Sequence, residues 1–222
     1  MGKMIQLTAS DGHKLDAYRA DPSGKPRGAI VVIQEIFGVN SHIKNVADGY
    51  AADGYVAIAP AMFDRAQKNV DLGYSPDDIA KGRDIRAKVT ADMAMKDAQA
   101  AANEAAKAGK VGIVGYCWGG FVAWMAANKL SGLSAAVPYY GGGILDNKEL
   151  APKVPLMGHF GEKDAHIPAD GIRELAKKYS QHQIFIYEAD HGFNCDQRGS
   201  YNAPAAKQAR ERTLGFFRKH VG

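Results

Sequence analysis

Short apolar runs alternate along the chain with longer stretches whose apolar positions recur at helical spacing, the pattern of a parallel sheet covered by helices. Residues 28–34 (GAIVVIQ) are almost continuously apolar and predict a strand buried on both faces. Residues 55–59, closed by Pro60, and residues 110–115 read the same way. Residues 134–138, 155–161 and 183–189 supply further strands. Ahead of these, residues 5–9 and 14–20 flank Asp11-Gly12, a dipeptide suited to a tight hairpin turn. Helices are predicted from Ser41, an N-cap candidate, to Gly54, and over residues 121–130, 172–179 and 204–220. The Ala-, Lys- and Asp-rich stretch from Ser75-Pro76 to Ala108 is expected to be helical in two pieces, stopped by Gly109. Residues 61–74 read as a loop of mixed charge. No repeat, low-complexity tract or linker interrupts this series. The expectation is one α/β domain over residues 1–222, with about six parallel strands, an N-terminal antiparallel hairpin and helices on both faces.

Composition narrows the function classes. The chain has 222 residues, 46% of them hydrophobic, long enough to form a core without metal or disulfide staples. Two cysteines, Cys117 and Cys195, are too few for a disulfide scaffold, and no CxxC or His-rich tract signals zinc. The net charge of +4 is spread among interleaved acidic and basic residues, which argues against nucleic-acid binding and leaves small anionic substrates open. No run approaches the length of a membrane span, and the N-terminal segment lacks the apolar region of a signal peptide. A cytoplasmic protein without a membrane or nucleic-acid partner is expected, as a monomer or small homo-oligomer.

The sharpest chemical signal is Gly115-Tyr116-Cys117-Trp118-Gly119-Gly120, set between a predicted strand and a predicted helix. It fits the nucleophile elbow G-x-nucleophile-x-G with cysteine as nucleophile. Glycines are needed there because the turn is tight, and the helix N-terminus beneath the sulfur favours thiolate and offers free N–H groups to an oxyanion. A buried cysteine in a glycine-rich turn is the competing reading. Asp164 and His191 follow two later predicted strands, giving the order nucleophile, acid, histidine found in α/β-hydrolases. His191 would serve as base and then acid, with Asp164 fixing its tautomer. Asp190 and Glu162 compete for the acid role, and Asp164 is preferred because it leads into the rigid turn His166-Ile167-Pro168.

Glu35 stands directly after the first central strand, in Gln34-Glu35-Ile36-Phe37-Gly38. It is read either as a group that holds the Cys117 thiol protonated until substrate displaces it, or as a capping or salt-bridged glutamate. The Ile36 amide in this turn is the expected second oxyanion donor. Phe37 and Trp118 are candidate pocket walls, and Tyr139 or Tyr140 a candidate donor to substrate. His159, His166 and His182 do not fall with acidic residues at ligand spacing, so no metal or cofactor is expected.

The segments QEIFGVN, GYCWGG, YYGGG, HFGEKDAHIP and ADHGFN occur here in one order across nearly the whole chain. Together they resemble the dienelactone hydrolase (carboxymethylenebutenolidase) family of α/β-hydrolases. The resemblance implies a Cys117–His191–Asp164 triad, a thiol-gating Glu35, and oxyanion amides at Ile36 and Trp118. It also implies cofactor-free hydrolysis of small, often carboxylated, lactones and esters through a thioester on Cys117. Well-known members hold the substrate carboxylate with two arginines, one of them four residues after the histidine. That place is taken here by Cys195, the next arginine is Arg198, and Arg83 is the expected anion contact. A broad small-ester carboxylesterase and a redox-active thiol protein using Cys117 and Cys195 are the alternatives.

Overall fold

The continuously apolar runs become the centre of one eight-stranded sheet. The structure, a computed structural model, describes residues 2–222. In chain order the strands are β1 (Lys3–Thr8), β2 (Lys14–Ala20), β3 (Ala29–Ile33), β4 (Val56–Pro60), β5 (Val111–Tyr116), β6 (Leu133–Tyr139), β7 (Met157–Gly161) and β8 (Gln183–Tyr187). Their order in the sheet is β1-β2-β4-β3-β5-β6-β7-β8. The hairpin β1–β2 is antiparallel and joins β4 in the same sense, whereas the six strands from β4 to β8 run parallel. Every residue of β3, β4, β5 and β7 is buried, as a parallel sheet covered on both faces requires.

The helices are α1 (Ser41–Ala52), α2 (Pro76–Ala87), α3 (Ala91–Ala105), α4 (Trp118–Lys129), α5 (Ala169–Lys178) and α6 (Ala203–His220). Helices α3 and α4 pack together against the central strands. Helices α1 and α6 meet through Tyr50 and Phe217, whose ring centroids are 5.9 Å apart, and through Arg210 over the Tyr50 ring. The expected two-piece helix is α2 and α3. Ser75 caps the first with a reciprocal bond to Asp78, and Thr90 caps the second. Residues 61–74 contain a short 3₁₀ turn, Met62–Arg65. Its Arg65 forks onto the buried Asp97 of α3 at 2.7 and 2.9 Å, tying the segment after β4 to the helical layer.

Two boundaries differ from expectation for physical reasons. The cap of α1 is Asn40, whose side chain accepts from the Ile43 amide, and Ser41 is the first helical residue. Helix α4 begins at Trp118 and not at residue 121, so it absorbs Gly119 and Gly120 despite their low helix propensity. A Cβ on Gly119 would strike the Ile33 and Gln34 carbonyl oxygens, and one on Gly120 the Tyr139 carbonyl oxygen. The two glycines let α4 start against the ends of β3 and β6.

Candidate active site

Four strand ends meet at one edge of the sheet, and each carries one predicted residue. Glu35 follows β3, Cys117 follows β5, Asp164 follows β7 and His191 follows β8. Cys117 has φ 56° and ψ −119°, left-handed backbone that a side chain adopts only under constraint. The constraint is visible: the Cys117 N–H donates to the Tyr139 carbonyl at 3.1 Å, and its own carbonyl accepts from Gly120 and Phe121 of α4. The thiol is partly exposed and heads the helix.

Of the three acidic candidates, Asp164 is the one in contact with the His191 ring. Its Oδ2 lies 2.7 Å from His191 Nδ1, and its Oδ1 accepts from the His166 amide at 2.8 Å. Asp190 is exposed and bonds the His191 backbone, whereas Glu162 is held by Arg173. Because a carboxylate only accepts, the Asp164 contact assigns the proton to Nδ1 and leaves Nε2 of His191 for the thiol side. Burial disfavours the imidazolium, but hydrogen bonds to Asp164 and Cys117 and their charges outweigh it and raise the His191 pKa to about 10.

A cavity of about 330 Å³ opens over this edge, at the small end of ligand pockets. Cys117, His191, Ile36, Phe37 and Trp118 all line it. Trp118 is the first residue of α4, so its N–H has no acceptor within the helix. Three arginines, Arg83, Arg86 and Arg198, line the same cavity, and no acidic residue does among those described. Gly82 brings the first two close, because a Cβ there would collide with the Ile36 carbonyl as α2 packs on that turn.

Arg198 is the residue that spacing did not find. It lies seven positions beyond His191, yet the chain turns back through the Cys195 carbonyl, which accepts from the Arg198 amide at 3.1 Å. Gly192 gives its guanidinium room, since a Cβ at that position would meet the Arg198 side chain. The guanidinium donates to Glu35 Oε1 at 3.0 Å and sits over the Phe37 and Tyr74 rings. Arg198 is thus a third cation at this cavity, beside Arg83 and Arg86.

Glu35 and the two tyrosines stand as follows. Glu35 is buried, but Arg198 takes one carboxylate oxygen and the Tyr74 hydroxyl donates to the other at 3.2 Å. It is a salt-bridged glutamate in this conformation and makes no hydrogen bond to the Cys117 thiol. Tyr139 is not at the cavity: it is fully buried, and its hydroxyl pairs with Thr213 at 2.7 Å. Tyr140 is also buried, with φ 36° and its ring 5.2 Å from the His191 ring, so it packs beside the imidazole without lining the cavity.

Spacing also missed a group of donors. One ligand atom from each of Glu35, His42 and Cys195 lies within 4.8 Å of the others, although the residues are far apart in sequence. Burial pushes the Cys195 thiol up to about 12, and Glu35 adds to this. No helix among the described residues is long and apolar enough to cross a membrane.

A sequence model of the dienelactone hydrolase family matches residues 15–221. The "Putative carboxymethylenebutenolidase" of Synechocystis sp. is 37% identical, over 94% of this chain and 93% of its own. The "Carboxymethylenebutenolidase" of Pseudomonas putida is 32% identical, over 96% of this chain and 94% of its own. Among solved structures, a "Putative Dienelactone Hydrolase" of Klebsiella pneumoniae superposes with a TM-score of 0.84 at 31% identity. The match covers 98% of this chain and all of that one.

Proposed function

The chain belongs to the dienelactone hydrolase family, and from that premise we propose that it hydrolyses small anionic lactones and esters through a thioester on Cys117. The observation that carries this reading is the thiol on a strained elbow at the head of α4, opening onto the same cavity as a histidine fixed by Asp164.

In the proposed reaction the Cys117 thiolate attacks the ester or lactone carbonyl carbon, and its proton resides on His191 Nε2. The imidazolium is favoured because Asp164 accepts at the other nitrogen. The carbonyl oxygen, gaining the charge, is received by the Ile36 and Trp118 amides, each worth about 3–4 kcal/mol in such sites. Collapse expels the alkoxide or enolate, which takes the proton from His191. Neutral His191 then draws a proton from water, whose hydroxide attacks the thioester and releases the acid and the thiolate. No step calls for a cofactor.

Arg83, Arg86 and Arg198 make the cavity cationic, which supports a substrate carrying a carboxylate of its own. Glu35 serves as counter-anion to Arg198, so an incoming carboxylate competes with it for the guanidinium. The test is kcat/KM across matched lactones and esters with and without a carboxylate. Faster turnover of the carboxylated member of each pair is expected. Equal rates within each pair would remove the anionic substrate class and leave a broad esterase.

A further inference from the structure

We infer that Glu35, His42 and Cys195 form a binding site for a thiophilic divalent cation of the zinc class, adjoining the cavity through Arg198. One oxygen, one nitrogen and one sulfur lie within 4.8 Å of one another, and all three residues are buried, with relative exposures of 1%, 3% and 0%. A mixed thiolate, imidazole and carboxylate set suits zinc, cadmium or cobalt and not magnesium or calcium. Metal–ligand bonds of about 2.0–2.3 Å in a tetrahedron place donors roughly 3.3–3.8 Å apart. The three atoms thus need to draw in by about 1.5 Å at most, within reach of side-chain rotation.

His42 supplies the independent observation. Its Nδ1 faces Asp196 Oδ1 at 3.3 Å, which assigns the proton there because the carboxylate can only accept. The Nε2 lone pair is buried and has no hydrogen-bond partner. A carboxylate behind one imidazole nitrogen, with the other nitrogen bare, is the arrangement that orients histidine ligands toward a metal. Tyr74, whose hydroxyl donates to Glu35 at 3.2 Å, stands beside the site. His42 and Asp196 also line a second cavity of about 340 Å³, separate from the first.

Binding releases one proton, that of the Cys195 thiol, and the cation is then held by a thiolate, a carboxylate and a neutral imidazole. A cation on Glu35 competes with Arg198 for the carboxylate charge, so the guanidinium is freed in part. A consequence that rests on the proposed hydrolase reading follows: metal would alter the affinity for carboxylated substrates through the freed guanidinium.

The binding itself is tested on the Cys117→Ala protein, in which Cys195 is the only thiol. Its readout is independent of hydrolysis. Titration with Cd²⁺ is expected to raise a thiolate-to-metal charge-transfer absorption that saturates at one equivalent and is reversed by Zn²⁺. Cys195→Ser in that background should abolish the band. Asp196→Asn, at a surface position 63% exposed, should leave the fold intact and weaken binding about tenfold. His42→Gln should weaken it at least as much, with thermal melting confirming that the variant is folded. Absence of the band at stoichiometric Cd²⁺ would overturn the inference. So would a band that keeps its affinity in both the His42→Gln and Asp196→Asn proteins, which would show a lone thiol binding adventitiously.

Discussion

Replacing Arg198 by methionine keeps most of the side-chain length and removes the charge. The guanidinium donates to Glu35 Oε1 at 3.0 Å, and Glu35 is only 1% exposed. Removing one partner of a buried ion pair costs about 3–5 kcal/mol, because the remaining charge stays desolvated. The Arg198 side chain is 19% exposed and Tyr74 still donates to Glu35, so the loss should fall at or just below the lower end, about 2–3 kcal/mol. At about 2–4 °C per kcal/mol for a chain of this size, the melting temperature should drop by roughly 5–10 °C. Adding Glu35→Gln should recover most of that loss, since no charge is then left unpaired. On the functional side a charge-assisted hydrogen bond contributes about 1.5–3 kcal/mol, so kcat/KM for a carboxylated ester should fall about 10- to 100-fold more than for its neutral partner. Thermal melting and the paired kinetics read both effects. A variant as stable as the parent, with unchanged substrate discrimination, would refute the role given to Arg198.

Two further outcomes concern histidines whose surroundings act in opposite directions. Burial, with a smaller contribution from Arg212, holds the His159 pKa down at about 3, against about 6.5 when unfolded. The unfolded chain therefore binds the extra proton between those values. The contribution of His159 to stability is complete above pH 6.5 and is lost toward pH 3 at about 1.4 kcal/mol per unit. Urea titrations between pH 4 and 7 should show a shallower slope for His159→Gln than for the parent, and identical slopes would contradict this. His191, raised to about 10, should keep its imidazolium proton well above neutrality in an NMR titration. Asp164→Asn should bring that titration down, and a parent ring already titrating near 6.5 would show that Asp164 and Cys117 do not hold the proton.

The four strand-end residues were legible before the fold because each reading used only local signals: an apolar run, then a residue with chemistry, then a turn. The elbow glycines were legible for the same reason, and their contacts with the ends of β3 and β6 give the cause. The start of α4 was not, since propensity counts Gly119 and Gly120 against helix and cannot see the neighbouring strand they must approach. Arg198 was out of reach of spacing because its place depends on a loop reversal and on the empty side of Gly192. Tyr139 misled because a residue at a strand end can face either side, and its hydroxyl turns to Thr213 on α6. The Glu35–His42–Cys195 cluster joins a strand end, the first turn of α1 and the loop after β8, a conjunction that only the sheet order creates.

In the proposed reaction Cys117 carries the acyl group. The most direct measurement is mass spectrometry of acid-quenched protein after rapid mixing with an activated carboxylated ester, followed by peptide mapping. A mass increase equal to the acyl group is expected on the peptide containing Cys117, absent from Cys117→Ala together with turnover. Full hydrolysis by Cys117→Ala, or an acyl group carried on another residue, would contradict it.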